Sequence, residues 1–161
     1  MRVRKKTLDL GAYSRVEHDG LSTSSPAMPS FSPAAFRRVV RASAIYDILV
    51  TAPFATPWTF AWNWRQLSDM NVRFGGAALP AFDPFPLLIA CLLGSLVLVW
   101  SALRLATPDV RLGRFDGVAR LLFSTWMAWA LHQTGAPLLW LFLVPEFAWG
   151  VVQWWRVDGA T

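Results

Sequence analysis

The chain has 161 residues, of which 55% are hydrophobic and only 16% are charged. A typical soluble domain is about a quarter charged, so this composition favours a membrane protein. The single cysteine, Cys91, excludes an intrachain disulfide, and His18 and His132 are too far apart for a metal-ligand motif. The net charge of +5 does not indicate a nucleic-acid partner, because the basic residues flank apolar segments.

Residues 1–31 have the composition of a disordered tail. The stretch 1–6 is basic, and the Ser/Pro-rich stretch 21–31 has nothing to bury. No apolar segment follows the basic start, so we expect no secretory signal. We predict that the rest of the chain, residues 32–158, forms one domain of four transmembrane helices.

Four apolar segments are each long enough, at about 17–25 residues, to cross a bilayer. Ser32 and Pro33 predict the N-cap and first position of a helix that leads into the first segment. The second segment has no charged residue at all, so it lacks the polar face of a soluble helix. We place the four spans at about residues 42–62, 85–103, 115–132 and 138–155.

The connections predict how these segments pack. Residues 64–72, between the first and second segments, predict a short interfacial helix that ends at the glycine pair 75–76. The turn at residues 134–137 is tight, so the third and fourth segments should form an antiparallel hairpin. Cys91 and Gly94 belong to a face of small residues on the second segment, which is typical of helix packing.

Prolines predict kinks in two of the segments. Pro53 and Pro57 lie in the first segment, and Pro145 precedes Glu146 in the fourth. Each proline removes an amide donor and frees the carbonyl four residues back, which opens space inside a bundle. A kink that neighbouring helices repack is the ordinary outcome in spanning helices.

The basic residues set the expected orientation. Thirteen lie before the first segment, around the connection between the second and third, or at the C-terminus. Only Arg65 and Arg73 lie in the connection between the first and second segments. The positive-inside rule therefore places both termini in the cytoplasm. We predict an all-α integral membrane four-helix bundle in a bacterial inner membrane, crossing it several times.

Charged residues inside the apolar segments predict a polar cluster in the cytoplasmic half of the membrane. At about 1.5 Å per residue, Asp47 and Arg120 lie roughly 8 Å deep and Glu146 roughly 14 Å deep. Charged groups in lipid face the bundle interior and pair with one another. We therefore predict that Arg120 bridges Asp47 and Glu146, with Asp116 nearer the water.

Smaller polar residues lie one or two helical turns from these charges and extend the predicted cluster. These secondary candidates are Thr51, Ser124 and Gln153. His132 is a further candidate, and an interfacial histidine is its simplest interpretation. We predict no catalytic residue, no metal site and no cofactor.

Four short helices between Arg41 and Trp155, with both ends inside and acids near the cytoplasmic side, resemble the DoxX-like group of small bacterial membrane proteins. The resemblance lies in topology, and it implies an accessory membrane protein, sometimes associated with redox or quinone systems. The pattern is also similar to sterol-isomerase-like bundles of the emopamil-binding type, which bury acids among aromatic residues. The corresponding residues here are Asp47, Glu146, Trp126, Trp129 and Trp149.

Three functional hypotheses remain open. The first, which we take as the leading one, is a non-enzymatic accessory or assembly partner in the bilayer, in contact with another membrane protein or a second copy of itself. The second is a lipophilic-ligand protein or isomerase with Asp47 and Glu146 as acid and base. The third is a small transporter subunit that works as an oligomer. A closed Arg120 bridge in a filled core would favour the accessory role. A cavity that holds both carboxylates would favour the lipophilic-ligand protein or isomerase, and a continuous polar path from both sides would favour the transporter subunit.

One prediction concerns the start of the chain. We expect the native protein to begin at Met28, because the residues before it have nothing to bury. The intact mass of protein purified from its natural source should then lack residues 1–27. A mass equal to that of all 161 residues would contradict this prediction.

Overall fold

The computed structural model describes residues 30–159, and every regular element in this part is helical. The α-helices are α1 (Pro33–Thr51), α2 (Pro57–Arg73), α3 (Pro84–Ala106), α4 (Val110–Thr134) and α5 (Trp140–Gln153). Short 3-10 turns, Ala52–Phe54 and Pro137–Leu139, connect α1 to α2 and α4 to α5. The all-α class is confirmed, and the five α-helices compare with four predicted spans and one short predicted helix between the first two. Residues 1–29 of the predicted tail, including Met28, lie outside the described residues.

The N-terminus of α1 is built as predicted. The Ser32 hydroxyl accepts the amide of the third helical residue at 3.2 Å, and Pro33 occupies the first position. Just before the cap, the Phe31 amide donates to the carbonyl of Arg156 at 2.8 Å. The amide of Asp158 donates back to the Phe31 carbonyl at 2.9 Å. The end of the predicted tail is therefore bonded to the C-terminal segment.

The first predicted span, residues 42–62, is not one helix. α1 ends at Thr51, and the chain turns by 100° into α2. Pro53 lies in the 3-10 turn and has no amide proton with which to continue the α-helical hydrogen bonding. The Thr56 side chain then caps a new helix with Pro57 at its first position. The prolines thus break the helix and do not merely kink it, because Thr56 and Pro57 form the N-terminus of a second helix.

The interfacial helix predicted at residues 64–72 is the C-terminal part of α2. It is followed by Gly75, whose φ of 87° is a conformation that favours glycine. Near its end, the buried Asn71 side chain donates to the carbonyl of Ala77 at 2.7 Å and accepts the amide of Leu138 at 3.1 Å. Asn71 therefore fastens α2 to the connection between α4 and α5.

The small-residue face of α3 packs closely against the 3-10 turn after α1. A Cβ atom added at Gly94 would lie 2.9 Å from the backbone carbon and oxygen of Phe54. One turn earlier, Cys91 is also buried. The turn can therefore lie against α3 only because this position has no side chain.

α4 and α5 form the antiparallel hairpin that the sequence predicts. Gly135, with φ of 61°, ends α4, and α5 continues through Pro145 without a break. Arg114 of α4 donates to the carbonyls of Gln153 at 2.7 Å and Trp155 at 2.8 Å. These carbonyls lie at the C-terminal end of α5, where a helix carries partial negative charge, so Arg114 stabilises that end.

The described residues show an inverted distribution of polarity. The buried set contains more polar and charged side chains than apolar ones, whereas large apolar side chains cover the outside of α3, α4 and α5. On α3, for example, Leu92, Leu96 and Val99 are 61%, 64% and 69% exposed. Soluble proteins rarely expose apolar patches of this extent, so this surface needs lipid or another apolar partner against it.

Length and composition allow fewer membrane crossings than predicted. In the described part, α3 alone qualifies as a membrane span, and α1 with α2 would qualify as one bent span. α4 is long enough but carries the charged residues of its N-terminal half, and α5 with its 3-10 turn covers only Pro137–Gln153. Length and composition therefore support one span in the described residues, or two if α1 and α2 together count as one.

The close approach at Gly94 predicts that Gly94→Ala is destabilising. The added methyl would collide with backbone atoms that cannot rotate away, and we expect a loss of about 1–3 kcal/mol in the free energy of unfolding. Gly150→Ala on α5 is the matched control, because its Cβ would have an ordinary nearest contact at 3.4 Å. Thermal unfolding in detergent, followed by circular dichroism, should separate the two variants. Equal midpoints would contradict the packing at Gly94.

Candidate functional site

Five charged side chains that are almost completely buried meet at one point in the molecule. They are Asp47 from α1, Arg104 from α3, Asp116 and Arg120 from α4, and Glu146 from α5. We call these five residues the charge cluster. Their exposed fractions lie between 0% and 8%, so they lie inside the helix bundle and not on its surface.

Arg120 lies at the centre of the charge cluster. Its Nη1 atom donates to Glu146 Oε2 at 2.8 Å, and its Nη2 atom donates to Asp47 Oδ1 at 2.7 Å. Its Nε atom donates to Asp116 Oδ2 at 2.9 Å, one turn earlier on α4. All three nitrogens of the guanidinium group are therefore used, and the bridge between Asp47 and Glu146 has the form expected from the sequence.

Arg104 is the member of the cluster that the sequence did not predict. It is 0% exposed and donates to both Asp47 and Asp116. Its guanidinium group also donates to the hydroxyls of Ser101 at 2.9 Å and Ser43 at 3.2 Å. In the sequence it looked like a flanking basic residue at the cytoplasmic end of an apolar segment. The available signal was its spacing from Ser101, which places both on one face of α3.

The prediction that Asp116 lies nearer the water is wrong, because Asp116 is one of the most enclosed members of the cluster. It is 3% exposed and accepts hydrogen bonds from four side chains on three helices. Besides both arginines, these donors are Trp100 Nε1 at 3.0 Å and Gln153 Nε2 at 2.7 Å. Asp116 is buried because it shares the inward face of α4 with Arg120.

The four secondary candidates lie in four different surroundings. Gln153 contacts the charge cluster, because its side-chain amide donates to Asp116 Oδ2 at 2.7 Å and to the Ser43 hydroxyl at 2.9 Å. Thr51 lines a cavity next to the cluster. Ser124 is buried, and its hydroxyl has no hydrogen-bond partner among residues 30–159. His132 is exposed at the other end of α4, and no metal-binding group of His, Cys, Asp and Glu occurs in the described part of the chain.

A cavity of about 360 Å³ adjoins the charge cluster. Asp47, Asp116, Arg120 and Glu146 form its polar wall. The rest of the lining is mainly apolar and includes the aromatic side chains of Trp100, Phe123 and Phe142. Trp126 and Trp129, which the emopamil-type resemblance placed near the acids, are 63% and 58% exposed and do not line it.

A second cavity of about 550 Å³ adjoins the first. Val50, Met127 and Phe142 belong to the lining of both cavities. The second cavity extends toward Asn71 at the end of α2, and its lining is almost entirely apolar. The first cavity thus has a charged wall, and the neighbouring one is apolar, a combination that suits an amphiphilic molecule.

No family model, curated protein or solved structure matches this chain. The resemblance to DoxX-like proteins therefore stays a prediction. The function is inferred from the charge cluster and the adjoining cavities.

The position of Arg120 predicts that Arg120→Leu is strongly destabilising. The substitution leaves three buried carboxylates against the single guanidinium group of Arg104, and breaking a buried ion pair costs about 3–5 kcal/mol. We expect a large fall in the thermal unfolding midpoint of the protein in detergent.

Arg111→Leu is the matched control, because it removes the same charge from an exposed position on the same helix. It should change the midpoint little, as exposed charges contribute little to stability. If both variants unfolded at the same temperature, the central role of Arg120 would be wrong.

Proposed function

We propose that this chain is a multi-pass bacterial inner-membrane protein that binds a lipophilic small molecule in the cavity beside the charge cluster. The inverted polarity of the described residues supports the membrane setting. The apolar side chains on the outside of α3, α4 and α5 match the hydrocarbon of a bilayer, while the charged residues lie inside.

In this arrangement α1, α3, α4 and α5 cross the membrane, and α2 lies near the outer interface at 100° to α1. The bond between Phe31 and the C-terminal segment supports a common side for the two ends of the described chain. Exposed basic residues on these segments, among them Arg37, Arg41 and Arg156, support the cytoplasm as that side.

The observation that carries the proposal is the coexistence of charged and apolar walls in one cavity. A filled interior would indicate a purely structural cluster, whereas here about 360 Å³ lies directly against Asp47 and Glu146. Ligand sites are typically concave, largely apolar and provided with a few polar groups that fix orientation. The cavity has these properties, because four charged residues lie on one wall and most of its lining is apolar.

An accessory or assembly role is the second candidate, and one observation favours it. Arg120 and Arg104 form a connected set of ion pairs with the three carboxylates, which is an arrangement that fixes how four helices pack. A transporter role lacks this kind of support, because beyond the cluster the lining of both cavities in the described residues is mainly apolar.

Filling the cavity tests the proposal. Ala119 lines it, so Ala119→Phe should displace the ligand, and a lipophilic molecule that copurifies with the wild type should fall to less than about a tenth. The measurement is native mass spectrometry of the full chain released from detergent, with extraction and identification of the bound molecule.

Ala128→Phe is the matched control, since it adds the same side chain at an exposed position on the same helix. It should retain the ligand at the wild-type level. Equal retention in Ala119→Phe, or a wild-type protein without any bound lipophilic molecule, would contradict the proposed binding function.

A further inference from the structure

We infer that the ligand of this cavity carries a positively charged amino group, which lies against the free carboxylate oxygen of Glu146. This inference rests on the proposed function and deepens it by naming the chemical class of the ligand. It depends on three features of the site: the balance of charges in the cluster, the unequal use of its carboxylates, and the aromatic lining of the cavity.

The charge cluster has one carboxylate too many. Three carboxylates face two guanidinium groups, and each of the five residues is at least nine-tenths buried. In their ionised forms these groups leave one negative charge without a balancing cation. An uncompensated buried charge is costly, so the site gains from any group that supplies the missing positive charge.

The excess charge is localised on Glu146. Asp116 accepts four hydrogen bonds, and Asp47 accepts from both guanidinium groups. Glu146 accepts a single one, at Oε2, and its Oε1 atom has no hydrogen-bond partner among residues 30–159. The Glu146 side chain is 11% exposed and lines the cavity. A ligand therefore meets a carboxylate with free hydrogen-bonding capacity.

The remaining wall of the cavity also suits an organic cation. Trp100, Phe123 and Phe142 line it, and the faces of aromatic rings attract ammonium groups. Arg120 also lines the cavity, but each of its nitrogens already donates to a carboxylate. An amine with an apolar body thus meets Glu146, aromatic rings and apolar side chains in one cavity.

A pair of probes with the same shape isolates the contribution of charge. 1-Adamantylamine is a cation at neutral pH, whereas 1-adamantanol is a neutral molecule of nearly equal size. Binding of each probe is measured by equilibrium dialysis against the full chain in phosphatidylcholine nanodiscs, and uptake by empty nanodiscs is subtracted. We expect the wild type to bind the amine at least about tenfold more tightly than the alcohol, as one charge-assisted hydrogen bond provides.

Glu146→Gln removes the excess charge and keeps an oxygen that accepts from Arg120. The remaining cluster is balanced, with two carboxylates and two guanidinium groups, so the variant should fold with undiminished thermal stability. We expect it to bind both probes about equally. Asp69→Asn is the control for overall charge, because it removes one carboxylate from an exposed position on α2 and should keep the preference for the amine.

The possible results separate the two levels of the proposal. Equal binding of amine and alcohol by the wild type would overturn the inference of a cationic ligand. A preference for the amine that survives in Glu146→Gln would overturn it as well, and both results would leave the proposed binding of a lipophilic molecule unaffected. Binding of neither probe, together with no copurifying lipophilic molecule, would overturn the proposed function itself. A preference that is lost in Glu146→Gln and kept in Asp69→Asn would support the inference.

Discussion

The three-way ion pair of Arg120 is the interaction on which the helix arrangement depends. One guanidinium group joins α1 and α5 to α4, and Arg104 adds α3 to the same network. Apolar contacts alone would give these helices little preference for one arrangement, because their apolar side chains point outward. Directed hydrogen bonds define rotation and register, since a shift of one residue would leave several charged groups without partners.

Much of this arrangement was predictable, since charged residues are rare in the apolar segments. Asp47, Arg120 and Glu146 had few partners available other than one another, and the Ser32–Pro33 cap and the glycine at 135 follow from local chemistry. Arg104 was missed because a basic residue at the end of an apolar segment normally lies at the membrane surface. The prolines predicted a kink in the first segment but not a turn of 100° into a second helix, because average hydropathy carries no information on the direction of the chain.

The cavities follow from the same break in the first segment. α1 ends at Thr51, and its last turn contributes Val50, the side chain that borders both spaces. Since the chain turns away at this point, α1 does not continue past the charge cluster beside α3, α4 and α5, and the space there is not filled by a helix. Gly94 makes the break possible by admitting the backbone of Phe54 against α3. A local feature of the backbone thus determines where the interior is empty.

The bond between Phe31 and the segment around Val157 has a consequence for the connectivity of the chain. It brings the two ends of the described chain side by side. Joining these ends with a short linker would leave the packing of the helices unchanged, and the chain would then tolerate a new opening in one of its loops. The order of the helices along the chain is therefore less essential to this fold than their mutual contacts.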